Sequence, residues 1–295
     1  MELSWLSKLR ITVVMALGAM VIGVGCWSMA APDDPMGIVR LSNLSFVQGL
    51  FLSVLALGLG FVGYFLGWPY GSEIGLLAVP SGLAIWGLRS GTISRLMAAT
   101  ATLDQRHALL NGLRWESLYW LALVFMGVAG VRIARRRCPQ PELPILKALP
   151  SFKAPNRLHY ATGLLASLVI GYFLTCAFTE DIRLSSQAAV CQPPARQIVF
   201  GLIAAFGFTA FAAKTGFHLS YLWPMVTTGL MFPVSTAING RASDGMTTHA
   251  YPASCLPSAV LTALPIQIVA FGSIGAILGY WAAIRCRYWR LNELH

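Results

Sequence analysis

Two proline-interrupted apolar segments contain the residues best suited to contact a ligand. Residues 68–87 and 223–240 both begin with Trp-Pro, contain a second proline, and end on the spacing P-x-x-x-A-I-x-G. These second prolines are Pro80 and Pro233. A proline within a helix removes a backbone donor and frees carbonyl groups, which in lipid must meet protein, water or a ligand. Each segment is therefore predicted to be a kinked transmembrane helix beside a binding site.

Polar and basic side chains near the two prolines complete the candidate site. Two guanidinium groups at one membrane face would attract an anion or a phospholipid headgroup, although interfacial arginines also serve as ordinary anchors. Serine and threonine beside a kink are equally able to satisfy the freed carbonyls within their own helix. The predicted ligand-binding residues are Pro80, Ser81, Arg89, Pro233, Ser235, Asn239 and Arg241.

The histidines and cysteines show no pattern typical of a metal or cofactor site. None of the five histidines has a histidine or acidic partner at metal-ligand spacing, and the six cysteines include no C-x-x-C pair. We therefore predict neither a metal nor a cofactor, and the absence of hydrolase and nucleotide-binding motifs argues against catalysis. Cys191 and Cys255, which lie near prolines in segments predicted to face outside, are predicted to form a disulfide, with free thiols as the alternative.

The composition places the chain in a lipid bilayer. Of 295 residues, 56% are hydrophobic and 11% are charged, whereas about a quarter of a soluble domain is charged. The net charge of +10 comes from cations at the ends of apolar runs, without a basic stripe carrying interleaved aromatics. We therefore expect the bilayer, and no nucleic acid, as a partner.

The apolar runs predict an all-α integral membrane fold with about eight transmembrane helices. Each span needs about 20 apolar residues to cross about 30 Å of hydrocarbon. The first run is interpreted as a helix rather than a signal peptide, and residues 89–116 as an amphipathic helix at the interface. A seven-span alternative makes residues 73–88 re-entrant. The predicted spans are 11–31, 44–67, 73–88, 117–134, 159–179, 197–213, 219–239 and 260–284.

Landmarks recur in the same order in the two halves of the chain, which indicates a duplication. Besides the two proline motifs, Gly127-x-x-Gly130 matches Gly272-x-x-Gly275, although apolar helices rich in glycine also resemble one another by chance. Four helices return the chain to its starting side, so the copies would be related by a pseudo-two-fold axis along the membrane normal. The predicted units are a first four-helix repeat (1–134), a basic proline-rich cytoplasmic linker (135–158) and a second repeat (159–295).

The distribution of basic residues predicts the orientation. Lysine and arginine are more frequent at the helix ends that share a side with both termini. Because cytoplasmic loops of membrane proteins carry an excess of these residues, both termini are predicted to be cytoplasmic, in a bacterial cytoplasmic membrane.

These features favour a facilitator or binder of a small or anionic solute between the two halves. No ionisable side chain lies near the middle of a predicted span, which argues against ion-coupled transport. The first alternative is a non-catalytic scaffold subunit, with other membrane subunits as partners. The second is a lipid-modifying enzyme of the outer leaflet that uses His107, His249 and the outer arginines.

Overall fold

The structure, a computed structural model, describes residues 5–32, 37–93, 96, 103–140, 157–179, 193–243 and 258–293. Within these ranges, only the backbone is described at residues 103–104, 106–107, 239–243 and 291–293. Within this part, eight long helices are joined by loops and short helical turns. They are α1 (Trp5–Gly25), α2 (Phe46–Leu66), α3 (Gly71–Arg89), α4 (Leu103–Arg137), α5 (Arg157–Thr179), α6 (Ala195–Phe217), α7 (Leu222–Ser243) and α8 (Pro265–Glu293).

Seven of the described helices are long and apolar enough to cross a membrane. In α4 and α8 the qualifying stretches are Ala108–Arg137 and Pro265–Arg290, and α7 is apolar over the shorter stretch Leu222–Ile238. The chain is therefore a polytopic α-helical membrane protein whose apolar helix faces contact the bilayer. Seven of the eight predicted spans thus correspond to helices of sufficient length and hydropathy.

α2 shows how the sequence sets the beginning of a span. The hydroxyl of Ser45 accepts a hydrogen bond from the Gln48 amide at 3.3 Å, and the Gln48 side chain accepts one from the Ser45 amide at 2.8 Å. This reciprocal pair satisfies two backbone donors that the first turn leaves free. Leu52 and Ala56 are buried, whereas Phe46 and Val54 are exposed on the face that meets lipid.

The proline of the first motif does not break its helix. α3 begins with a short helical turn, passes through a 3₁₀ turn at Gly75–Leu77, and continues as α-helix from Ala78 to Arg89. Pro80 lies in the first turn of that α-helical part, where a missing backbone donor costs nothing and the proline φ angle suits the helix. The prediction of a helix broken at Pro80 is thus replaced by a helix that restarts just before it.

α4 differs from its predicted form. The sequence separated an interfacial helix at 89–116 from a span at 117–134, but the structure has one continuous helix of 35 residues from Leu103 to Arg137. The polar beginning of this helix carries no proline or glycine pair able to end it, so the helix extends beyond its apolar stretch.

Within the first half, α2 and α4 pack with their backbones in contact. A Cβ atom added at Gly60 would overlap the carbonyl oxygen of Gly127, and one added at Gly130 would overlap that of Leu57. The two helices run in the same direction, because Tyr119 bonds the carbonyl of Gly49 near one end while Tyr64 bonds that of Cys138 near the other. Small residues permit this close approach, which is how membrane helices gain packing energy.

Within the second half, α6 and α8 pack in the same manner. A Cβ atom at Gly275 would overlap the carbonyl oxygen of Ile203, and one at Gly279 would overlap that of Gly207. Each half therefore contains a parallel helix pair joined through glycine.

The centre of the bundle is formed by α4 and α8, which contact each other. α3 packs against α8 and also against α1, whereas α7 packs against α4 and also against α5. The central pair thus lies between the two proline-containing helices.

The bundle has two faces, at which the helices begin and end. The basic face holds the C-terminal ends of α2, α4, α6 and α8, including Arg135, Arg136 and Arg137. At this face Tyr221, which precedes α7, contacts Tyr280 of α8, and His159 of α5 bonds the carbonyl of Phe217 in α6 at 2.7 Å. The opposite face holds the other helix ends, including the C-terminus of α3.

Candidate functional site

The side chain next to Pro80 is satisfied within the first half. Pro80 and Ser81 are buried, and the Ser81 hydroxyl lies 2.8 Å from the carbonyl oxygen of Ala78 and 3.0 Å from that of Met15 in α1. The hydroxyl also occupies the space that a side chain at Gly18 would need. Ser81 therefore faces α1 and holds the α1–α3 contact together.

The side chains around Pro233 bond within the second half. Thr236 donates to the carbonyl oxygen of Pro233 at 2.8 Å, which satisfies an acceptor of the same turn. The hydroxyl of Ser235, which is fully buried, lies 3.4 Å from that of Ser258. Tyr172 of α5 lies 3.5 Å from the same Ser258 hydroxyl, so this group links α5, α7 and the segment before α8.

The predicted arginines and cysteines are not brought together in the described part. Arg89 is exposed, and its guanidinium lies over the ring of Trp27, 4.8 Å from the ring centroid. Asn239 and Arg241 are described by their backbone alone, and Cys191 and Cys255 lie outside the described residues. The predicted disulfide and the predicted pair of outer arginines stay predictions.

The two proline-containing helices lie on opposite sides of a close-packed contact between the halves. Trp86 of α3 and Trp120 of α4 are fully buried and meet edge to face, with ring centroids 6.0 Å apart. Gln267 of α8 donates to the carbonyl oxygen of Gly87 at 2.9 Å. The Gln267–Gly87 bond joins the two halves, and the tryptophan pair lies beside it within the first half.

A matching contact joins α4 to α7. Ser117 donates to the carbonyl oxygen of Gly229 at 2.9 Å, and Leu121 packs over the space beside that glycine.

The indole N–H groups of Trp86 and Trp120 are buried and have no acceptor among the described residues. They are hydrogen-bond donors left unused in an otherwise apolar region.

A carboxylate and a guanidinium are paired at the opposite face. Glu116 of α4 is 5% exposed, and its Oε1 lies 3.9 Å from Nε of Arg40 in the segment before α2. The backbone N–H of Leu41 also bonds the carboxylate. The pair connects the polar beginning of α4 to the α1–α2 connection, so each of the two charges has a partner within the protein.

A cluster of polar groups at the basic face brings both halves together. The rings of Tyr221 and Tyr280 lie 5.3 Å apart, and Nζ of Lys214 lies over the Tyr280 ring, 5.0 Å from its centroid. From the first half, the charge of Glu73 acts on both tyrosine hydroxyls and that of Arg135 acts on Tyr221. We call Glu73, Arg135, Lys214, Tyr221 and Tyr280 the inter-half cluster.

The inter-half cluster was missed by sequence reasoning. Glu73 and Lys214 each lie at the end of an apolar run, where snorkelling to the interface is the ordinary interpretation. In the structure Glu73 and Lys214 are half-buried, and Glu73 forms no ion pair within the described part of the chain. One sequence signal could have indicated the cluster. The predicted topology places the beginnings of α3 and α7 at this face, close to the C-terminal ends of α4 and α8.

Comparisons with known proteins supply no assignment. The sequence matches no protein-family model, and no significant similarity was found to a curated protein or to a solved structure.

Proposed function

We propose that all eight helices cross the membrane, with both termini on the side of the basic face. α7 has 22 residues, about 33 Å at 1.5 Å per residue, which suffices for a span although its apolar stretch is shorter. Tyr221, just before α7, lies at the basic face, and Ser235 near its other end contacts Ser258 just before α8. The excess of lysine and arginine at the basic face favours a cytoplasmic location in a bacterial membrane.

The duplication into two four-helix repeats, 1–134 and 159–295, is part of this proposal. Its support is the matched packing: α2–α4 corresponds to α6–α8, and α3 on α8 corresponds to α7 on α4. Gly130 approaches Leu57 and Gly275 approaches Ile203, so equivalent positions are about 145 residues apart. Such an arrangement places a pseudo-two-fold axis between α4 and α8, along the membrane normal.

The matched contacts align the residues of α3 and α7 differently from the proline motifs. Gly87 and Gly229 hold equivalent places, since each meets the opposite half through its carbonyl oxygen. The motifs instead pair Gly87 with Gly240, about three helical turns further along α7. The repeat is therefore better supported by packing than by the motifs that first suggested it.

As function, we infer binding of a small anionic solute at the basic face, between the halves. The observation that carries this inference is the inter-half cluster, in which Tyr221, Tyr280 and Lys214 of the second half contact one another within reach of the charges of the first half. Arginine, lysine and tyrosine hydroxyls are the donors that bind carboxylate and phosphate groups. Perturbed ionisable groups that converge from two repeats are typical of functional sites.

The geometry supports a binder more than a facilitator with an open path. Beyond the cluster, Leu121 of α4 packs against Gly229 of α7 across the contact between the halves, and Trp86 and Trp120 pack beside this contact within the first half. A facilitator that uses Pro80, Ser81, Arg89, Pro233, Ser235, Asn239 and Arg241 would need this contact to open, with α3 and α7 moving away from α8 and α4.

The test is anion-dependent stability of the protein in nanodiscs of zwitterionic lipid. Inorganic phosphate and citrate are added at constant ionic strength, and the unfolding midpoint is followed by tryptophan fluorescence. We expect at least one of these anions to raise the midpoint, because a ligand that binds the native state stabilises it by mass action. Lys214→Gln and Tyr280→Phe should reduce this shift, whereas Arg136→Gln, which removes an exposed charge at the same face, should leave it unchanged. No shift with either anion, or an equal loss in Arg136→Gln, would overturn the proposal.

A scaffold subunit without solute binding is the second candidate, favoured by the close-packed contact between the halves. One feature weakens it: Gly60, Gly130 and Gly279 are used inside the bundle, while the exposed faces carry large side chains such as Phe51 and Phe200. The lipid-modifying enzyme would need His107 and His249, whose side chains lie outside the described part, and stays a prediction from the sequence.

A further inference from the structure

A cleft opens between α6 and α8 at the basic face, next to Lys214 of the inter-half cluster. The two helices touch at Gly207 and Gly279 and then diverge, so that a Cβ atom at Gly216 would meet nothing within 4 Å. The cleft has a volume of about 470 Å³, within the range of small-molecule sites. It is lined by Phe211, Thr215, Gly216, Cys286, Arg287 and Arg290.

Two guanidinium groups give the cleft its charge. Arg287 and Arg290 are three residues apart on α8 and therefore point to the same side of the helix. Arg287 bonds Nδ1 of His218 through one of its terminal nitrogens, which leaves most of its donors for another acceptor. The Thr215 hydroxyl donates to the carbonyl oxygen of Phe211 at 2.8 Å. None of the six lining residues is acidic, so the cleft is complementary to an anion.

An apolar surface continues from the cleft toward the membrane interior. Phe208 is 59% exposed and lies on the same side of α6 as Phe211 and Thr215, since these residues follow the three-and-four spacing of one helix face. On α8, Leu278 is exposed as well. The apolar stretches of α6 and α8 end at Phe217 and Arg290, so the two arginines lie at the level of lipid headgroups.

We propose that this cleft binds an anionic phospholipid, with Arg287 and Arg290 holding the phosphate and the acyl chains lying along Phe208 and Leu278. Arginine forms paired hydrogen bonds with phosphate oxygens. Basic pockets between transmembrane helices bind anionic headgroups in the same way. A lipid fits better than a soluble phosphate compound, because the apolar surface below the arginines needs a hydrocarbon partner.

The experiment is native mass spectrometry of the delipidated full-length protein in detergent. Dioleoyl phosphatidylglycerol and dioleoyl phosphatidylcholine are titrated separately, and glycerol 1-phosphate and inorganic phosphate are added as soluble competitors. We expect one phosphatidylglycerol to bind at least about tenfold more tightly than phosphatidylcholine. Arg290→Gln leaves the Arg287–His218 contact intact and should reduce this preference from about tenfold to about threefold. The double variant, which adds Arg287→Gln, should show no preference.

Arg136→Gln serves as the matched control, since it removes one exposed positive charge from the same face. Equal affinity for the two lipids, or an equal loss in Arg136→Gln, would overturn the proposal. Full displacement of the lipid by glycerol 1-phosphate or inorganic phosphate would assign the cleft to a soluble phosphate compound and overturn its lipid assignment. Tyr280→Phe, which removes a hydroxyl of the inter-half cluster and no charge, should leave lipid binding unchanged, so this site and the inter-half cluster are tested separately.

Discussion

Trp86 and Trp120 pack edge to face between α3 and α4, with ring centroids 6.0 Å apart and neither side chain exposed. Edge-to-face geometry places the positive edge of one ring against the negative face of the other, which is favourable in an apolar region. Gln267 bonds the carbonyl of the residue that follows Trp86, so the pair lies beside the contact between the halves. A region with two of the largest side chains, both buried, is a packed core.

Trp86→Ala should therefore destabilise the protein, whereas Trp115→Ala should not. Removing the buried ring leaves a cavity that neighbouring helices fill incompletely, at a cost of about 2–3 kcal/mol. The cost lies below that in a soluble protein because lipid is as apolar as the helix interior. Trp115, on the same helix as Trp120, is 65% exposed. The free energy of unfolding in mixed detergent micelles measures both variants, and equal values would contradict the assignment of Trp86 to the core.

Two glycines of α2 provide a matched pair for the α2–α4 contact. A Cβ atom at Gly60 would overlap the Gly127 carbonyl, whereas a Cβ atom at Gly58 would meet nothing within 4 Å. Gly60→Ala should destabilise the protein by about 1–3 kcal/mol because the helices must separate. Gly58→Ala should be neutral or stabilising by up to about 1 kcal/mol, since alanine is the better helix former. Thermal unfolding of the two variants side by side checks the prediction, and a stable Gly60→Ala would refute the packing.

The sequence was sufficient to predict the apolar stretches of seven helices, because hydropathy and length decide whether a segment enters a bilayer. Hydropathy does not decide which helices touch, since lipid gives no driving force that favours one apolar partner over another. The position of α4 and α8 between Pro80 and Pro233 could therefore not be predicted. It depends on which glycine meets which carbonyl, and the chain offers many glycines.

The candidate site was hard to predict for a related reason. Tyr221 lies just before α7 and Tyr280 lies within α8, and each residue alone is an ordinary interfacial tyrosine. Glu116 and Arg40 likewise come together because the extension of α4 beyond its apolar stretch carries Glu116 to the segment before α2. A pairing of this kind follows from tertiary structure and has no local sequence pattern.

Cysteine accessibility distinguishes a closed contact from a water-filled path between the halves. In a background without the six native cysteines, Ser117→Cys and Leu121→Cys should not react with a charged, membrane-impermeant maleimide, because both positions are buried against α7. Asn111→Cys, exposed on the same helix, should react and serves as the positive control. Rapid labelling at Leu121→Cys would show a water path and favour the facilitator over the binder.

His218 provides a test of the electrostatics at the α6–α8 cleft. It ends α6 with a left-handed backbone (φ 54°) and contacts Arg287. Burial and the nearby charge of Arg287 lower the pKa of His218 below its ordinary value of 6.5, with smaller contributions from Lys214 and His159, while a backbone hydrogen bond opposes the shift. The native protein thus favours the neutral imidazole, and its stability should fall as the pH drops below about 6.5, where the unfolded chain takes up this proton first.

Arg287→Gln should raise the pKa of His218, because it removes a neighbouring positive charge while keeping a side chain able to donate to the imidazole. The same substitution should weaken the dependence of stability on pH below about 6.5. NMR titration of histidine-labelled protein in nanodiscs measures the pKa directly. Arg136→Gln, at the exposed end of α4, should leave the His218 pKa unchanged. If the pKa of His218 stayed the same in Arg287→Gln, the guanidinium would not face the imidazole, and the arrangement of the cleft would have to be revised.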